Sequence, residues 1–282
     1  MRIEKILNNN VVTVIDKSTG LEKVIMGRGI AFNKRVGQEI DESKIEKVFN
    51  IENQDNNKKF QKLIDKIPIE YVRVSEKIIS YAKEKLNAKF DDHMYIALTD
   101  HLAFAIKRAN AGTKIENHLL WEIQRIHRKE YEVGLWALNL IEKELDVRFQ
   151  EDEAGFIALH LINASIGETM PSTMSITSIV KKILDIVKYS LMIEFDENDL
   201  SYDRLITHLK YFAQRVISNK KLNGHGSEFL PMIKEKYQKA YNCALKIKAY
   251  IEKDYNYNVS DEEIVYLSLH LQKVLSYLKT KN

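Results

Sequence analysis

The chain repeats itself. LTDHLAFAIKR at 98–108 lies over LITHLKYFAQR at 205–215 at an offset of 107 residues. EDEAGFIALHL at 151–161 lies over DEEIVYLSLHL at 261–271 at an offset of 110. The second offset also aligns Tyr131 with Tyr241, Leu135 with Leu245, and IEK at 141–143 with IEK at 251–253. A loop three residues longer near 218–228 accounts for the change of offset. A period this long implies two copies of one module, each burying its own core. In 282 residues that leaves room for one small domain ahead of them.

The leading segment has a different pattern. RIEKIL, NVVTVI, LEKVIM and GIAF, within residues 2–33, are short, rich in Val and Ile, and partly alternating. Asn8–Asn10, DKSTG at 16–20 and Gly27–Gly29 separate them, which predicts a small antiparallel sheet of four strands. From about residue 69 the periodicity is helical, with TMPSTMSITS at 169–178 read as an uncharged linker. The expected architecture is a small antiparallel β-sheet domain over 1–58, then two related all-α helical bundles over 66–170 and 171–282.

Charge sharpens this division. The net charge of +3 is unremarkable, but residues 1–35 carry seven Lys and Arg against three acids, and residues 36–55 carry two Lys against six. A basic surface followed by an acidic segment is hidden in the total. A lone cysteine, Cys243, excludes an internal disulfide framework and fits a reducing, cytoplasmic setting, with packing as the expected role of its thiol. The N-terminus has charges where a signal peptide needs an apolar core. Uncharged runs such as AGFIALHLINASIG at 154–167 fall short of the roughly 18–20 residues that span a bilayer, so membrane insertion is not expected.

Both copies keep two histidines in the same places: His101 over His208, and His160 over His270. Each has apolar residues at −3, +1 and +4, for example Leu98, Leu102 and Ala105 around His101. At 100° per residue this puts each histidine roughly 80° from the centre of the apolar stripe, where the stem packs and the ring reaches an edge. Ser260 and Glu263 form a capping box that starts the helix of His270. His93 shares the apolar setting, but its counterpart is Leu200; His118, His127 and His225 fail the pattern. Metal spacing, nucleophile elbow, P-loop and dinucleotide glycine set are all missing, so no cofactor, metal or catalytic activity is expected. What four matched histidines retain is a change of charge, by protonation or by phosphoryl transfer.

These residues together resemble the BglG/SacY family of transcriptional antiterminators. KILNNNVV and VIMGRGIAF resemble its co-antiterminator RNA-binding domain, and the TDH and ALH histidines with their second copies TH and SLH resemble the paired histidines of its PTS regulation domains. The resemblance implies a homodimer that binds an RNA antiterminator hairpin overlapping a terminator in a sugar-utilisation operon. It implies RNA contacts at Asn8, Asn10, Gly27, Arg28, Gly29 and Phe32, with Lys5 beside them. It further implies that a sugar-specific PTS permease phosphorylates His101 and His160 to inactivate the protein, and that the phosphocarrier protein HPr phosphorylates His208 and His270 to activate it. An alternative, a DNA-binding activator controlled by the same domains, requires a recognition helix near the N-terminus. The strand-like runs of residues 1–35 argue against one.

Overall fold

The structure is a computed structural model that describes residues 1–51, 53–166, 170–196, 199–222 and 226–281; side chains at 166, 171 and 278–281 are not described. His225 and part of the longer loop of the second copy therefore lie outside the described residues, as do the first residue of the expected linker and its Pro171 side chain. Two compact units form: Met1–Asn117 with Lys129–Glu168, and His118–Arg128 with Thr169–Asn282.

In the first unit, β1 (Ile3–Asn8), β2 (Val11–Ile15), β3 (Glu22–Met26) and β4 (Lys47–Phe49) form an antiparallel sheet in sequential order. Asn8 pairs with Val11 across the first turn, and Ile15 with Glu22 across the second. Alternation sends Val12, Val14 and Ile25 to one face, where they pack with Ile3, Ile30, Ala31 and Ile40. Val11, Val24, Met26 and Phe49 go to the other face and join the helical core of the same unit. A sheet of this size is marginal alone; here one face is covered by helices of its own chain.

The fourth strand is not GIAF. Residues 27–34 instead turn three times, with Ile30 N–H donating to Gly27 O, Phe32 N–H to Gly29 O and Lys34 N–H to Ala31 O. Gly29 at φ +63° and Asn33 at φ +56° are left-handed, which no strand tolerates. Ile30 and Ala31 are apolar because these turns plug one face of the sheet, so composition mimics a strand that the backbone cannot make. The strand role passes to KVF at 47–49.

Helix begins earlier than its periodicity announces. α1 (Gln54–Ile64) is capped by the Asn53 side chain and buries Phe60 and Ile64; Phe60 meets Phe49 edge-on at 5.0 Å. Then come α2 (Ile69–Leu86), α3 (His93–Asn110), α4 (Leu120–Ile126), α5 (Arg128–Leu145) and α6 (Glu151–Ile166). The second copy runs α7 (Met170–Leu191), α8 (Leu200–Ile217), α9 (Leu230–Lys236), α10 (Gln238–Tyr255) and α11 (Asp261–Lys281). α8 begins and ends 107 residues after α3, and α10 follows α5 by 110, so the sequence offsets are structural ones. The expected linker is the start of α7: Ile176, Ile179, Val180 and Ile183 extend one buried stripe, and Pro171 sits in the first turn, where a missing N–H costs nothing. α4 belongs to the first copy in sequence yet folds in the second unit on α7, where Ile126 joins the core, Lys181 pairs with Glu122, and buried His127 Nε2 lies 3.2 Å from Thr177 Oγ1. Cys243 is buried among Ala240, Ala244 and Ile247 on one face of α10, a packing position.

Candidate functional site

Two features of the sequence become concrete sites: the paired N-terminal turns and the histidine pairs.

The asparagine turn and the GRG turn are one structure. Asn10 N–H donates to Asn8 Oδ1 at 2.9 Å, and Gly29 N–H donates to Asn10 Oδ1 at 2.8 Å. Gly27 N–H and Ala31 N–H donate to the carbonyls of Asn10 and Asn9 at 2.9 and 3.1 Å. Both asparagine side-chain oxygens are thus committed to the fold, and Asn8 Nδ2 lies 3.5 Å from the Ile64 carbonyl. Gly27 is buried, and a Cβ there would stand 1.9 Å from the Lys44 carbonyl oxygen, so this glycine serves a close approach of the chain to itself. Arg28 is exposed; its N–H donates to Glu46, which also holds Arg73 at 2.8 and 3.1 Å. Phe32 projects with 64% of its surface open to solvent. Lys5 stands on β1 in an ion pair with Glu22 at 3.1 Å.

The histidines meet within each copy. His101 on α3 and His160 on α6 have ring centroids 4.6 Å apart. His208 on α8 and His270 on α11 stack at 3.5 Å with planes 24° apart. All four are partly buried, on the flank that the apolar pattern assigns. Burial, then the neighbouring His101 and His93, pushes His160 down to about 3. Burial, then His208 and Lys273, pushes His270 down to about 4. His208 is lowered too, by burial and then Lys273. A neutral imidazole keeps a nitrogen lone pair, the form that can attack phosphorus.

The two pairs differ in their partners. A Glu153 carboxylate oxygen lies 2.8 Å from His101 Nε2, off the direction of a well-aligned hydrogen bond, and Glu153 also meets Arg108 at 3.3 Å. In the second copy the equivalent Glu263, fully buried, turns to Arg215 at 3.2 Å and to the Tyr257 hydroxyl at 2.8 Å. His208 Nδ1 instead faces the Tyr266 hydroxyl at 2.7 Å. Phe156 occupies the place of Tyr266 in the first copy and has no hydroxyl to offer. The capping box is formed: Ser260 N–H points to Glu263 Oε2 at 3.4 Å, and Glu263 N–H to Ser260 Oγ at 3.3 Å. Glu153, Glu263, Arg108, Arg215 and Tyr266 were not picked out by histidine spacing, although the repeat already superposes both Arg–Glu pairs. No group of three or more His, Cys, Asp or Glu able to hold a metal occurs among the described residues.

Comparison with known proteins finds a family for each part of the chain. The CAT RNA binding domain family matches residues 1–58, and the PRD domain family matches twice, at 76–164 and 181–274. Transcription antiterminator LicT of Bacillus subtilis (strain 168) is 46% identical over 275 residues, which cover 98% of this chain and 99% of the relative. The chain belongs to the BglG/SacY family of transcription antiterminators. Like other BglG/SacY members it is an RNA-binding regulator and not an enzyme. A second relative, the beta-glucoside operon antiterminator of Dickeya chrysanthemi, is 44% identical across 99% of this chain and 98% of its own length. The crystal structure of GlcT CAT-PRDI, at 33% identity, covers 58% of this chain and 97% of its own, with a TM-score of 0.52. That structure is named for a CAT domain and one PRD, and this chain has a second PRD match at 181–274.

Proposed function

We propose that this antiterminator acts in the cytoplasm as a homodimer that binds an RNA hairpin overlapping a terminator in a sugar-utilisation operon, so that polymerase reads on into the operon. The functional segments are 1–58, 66–170 and 171–282. Fused turns at the sheet edge carry this reading, because they hold an exposed aromatic and an exposed arginine on a rigid frame. Unpaired RNA bases are read by stacking and by hydrogen bonds to their edges. Phe32 supplies the stacking face, Arg28 binds phosphate or stacks, and Lys5 adds charge. Asn8 and Asn10, their oxygens committed, offer amide N–H donors to base acceptors. Gly27 and Gly29 keep the frame tight enough to present these groups. Titration of the chain with a bulged hairpin tests this; affinity no better than for an unrelated hairpin ends the proposal.

Control is by phosphoryl transfer to the histidine pairs: a sugar-specific PTS permease acts on His101 and His160, and HPr acts on His208 and His270. Phosphorylation places about two negative charges on a partly buried pair, and so changes how two copies meet. With Nδ1 held by Tyr266, His208 offers Nε2 to the donor. HPr charged by enzyme I and phosphoenolpyruvate is expected to label the chain. Undiminished labelling of a His208→Ala, His270→Ala double variant would refute the assignment.

A further inference from the structure

The repeat gives an internal control for an open space in the first copy. A cavity of about 150 Å³ lies at the end of α3 against the start of α6, lined by Ala105, Arg108, Thr113, Arg148, Phe149 and Glu153 among others. That volume has room for one six-membered ring, in a cleft that is open on one side and lined by both apolar and charged side chains. The corresponding place in the second copy is occupied by Tyr257, 2% exposed, whose hydroxyl lies 2.8 Å from Glu263 Oε1, to which it donates, and 3.0 Å from the Lys220 carbonyl.

The correspondence is structural, residue by residue. Thr113 N–H donates to the Arg108 carbonyl as Lys220 N–H donates to that of Arg215, closing the same helix end. Gly112 and Asn219 are both left-handed there, at φ +71° and +50°. At the other wall, Asp146 and Asn256 are both left-handed, at φ +55° and +51°, one residue before Val147 and Tyr257. Glu153 stands where Glu263 stands, each joined to its arginine. The cavity wall therefore keeps both groups that the tyrosine hydroxyl bridges, while Val147 supplies no ring.

We propose that this cavity binds a small flat ring carrying a hydroxyl group, a phenol-like ligand that stands in for the Tyr257 side chain. Arg108, Lys114 and Arg148 share its wall with Asp152 and Glu153, and Glu153 is joined to Arg108; the ligand is a neutral hydrogen-bond donor because it stands where the Tyr257 hydroxyl stands in the second copy. Its hydroxyl donates to Glu153 and lies beside the Thr113 carbonyl. In the second copy, the carboxylate that receives a phenol hydroxyl points at Tyr257 and Arg215, and the histidine is met by another residue. Ligand binding in the first copy draws Glu153 away from His101 in the same manner, which leaves Nε2 of that ring uncovered. The link to control rests on the proposed phosphorylation of His101; the binding itself does not.

Phenol is the probe, titrated into the full chain by NMR with no phosphoryl donor present. One saturable site is expected in the wild type, with a shift of the His101 ring signals at saturation. Val147→Tyr is expected to abolish the site and to carry the His101 shift already without phenol. Where it folds, Tyr257→Val is expected to raise the stoichiometry to two. Failure to saturate, undiminished binding in Val147→Tyr, or preference for inorganic phosphate over phenol would each overturn the proposal. Saturation without a His101 shift would overturn the coupling through Glu153.

Discussion

His270 offers the sharpest test of the histidine pairs. Its ring is stacked at 3.5 Å on His208, and burial leads in holding it at about 4 against an ordinary 6.5. That gap of about 2.5 pH units, at about 1.4 kcal/mol each, is about 3 kcal/mol against charging the folded ring. Half-burial and screening trim the figure to about 2 kcal/mol. The unfolded chain takes up this proton first as pH falls. The neutral pair's stability is therefore complete above about pH 6.5 and is lost as pH falls to about 4. Following the ring protons of the full chain by NMR from about pH 7.5 to 3.5 measures this directly. His208→Asn removes both the cover and the neighbouring ring, and is expected to raise the His270 midpoint by about one unit. A His270 midpoint near 6.5 in the wild type would show that the pair is not desolvated, and the argument for a pre-neutralised phosphoryl acceptor would fail.

Other expectations follow from single contacts. Gly27→Ala drives a Cβ into the Lys44 carbonyl and should lower stability by about 2–3 kcal/mol in urea unfolding, whereas Gly20→Ala, with open space at φ +70°, should cost about 1 kcal/mol. Arg215→Met leaves the fully buried Glu263 carboxylate without its cation and should cost about 3 kcal/mol, seen as a lower thermal midpoint. Phe32→Ala should weaken hairpin binding by about 1–3 kcal/mol with an unchanged urea midpoint, because the ring is mostly exposed in the free protein. Tyr266→Phe removes the hydroxyl that faces His208 Nδ1, and labelling by HPr should slow about fivefold, the equivalent of one hydrogen bond of about 1 kcal/mol.

What the sequence made legible depended on whether a pattern was local or relational. The two-copy helical plan and the flank position of the histidines are legible because the repeat samples the same helix twice, and helical periodicity is local. GIAF misled because apolar content reports burial and not backbone angle; Ile30 and Ala31 are buried from turns. The polar start of α7 reads as a linker in sequence, although Thr173 and Thr177 are buried there. Glu153 and Glu263 look alike in sequence, and their different aims are set by Val147 against Tyr257 and Phe156 against Tyr266. Those choices become visible only when the partners are placed in space. The same holds for Gly27, which sequence offers as an approach to RNA and the fold uses for Lys44.

The central claim is tested most directly by transcription in vitro on a template whose leader carries a bulged hairpin overlapping a terminator. Added chain should raise readthrough, and Phe32→Ala or mismatches in the hairpin stem should remove the gain. Readthrough that rises equally with the hairpin mutated would contradict recognition of RNA by the paired turns.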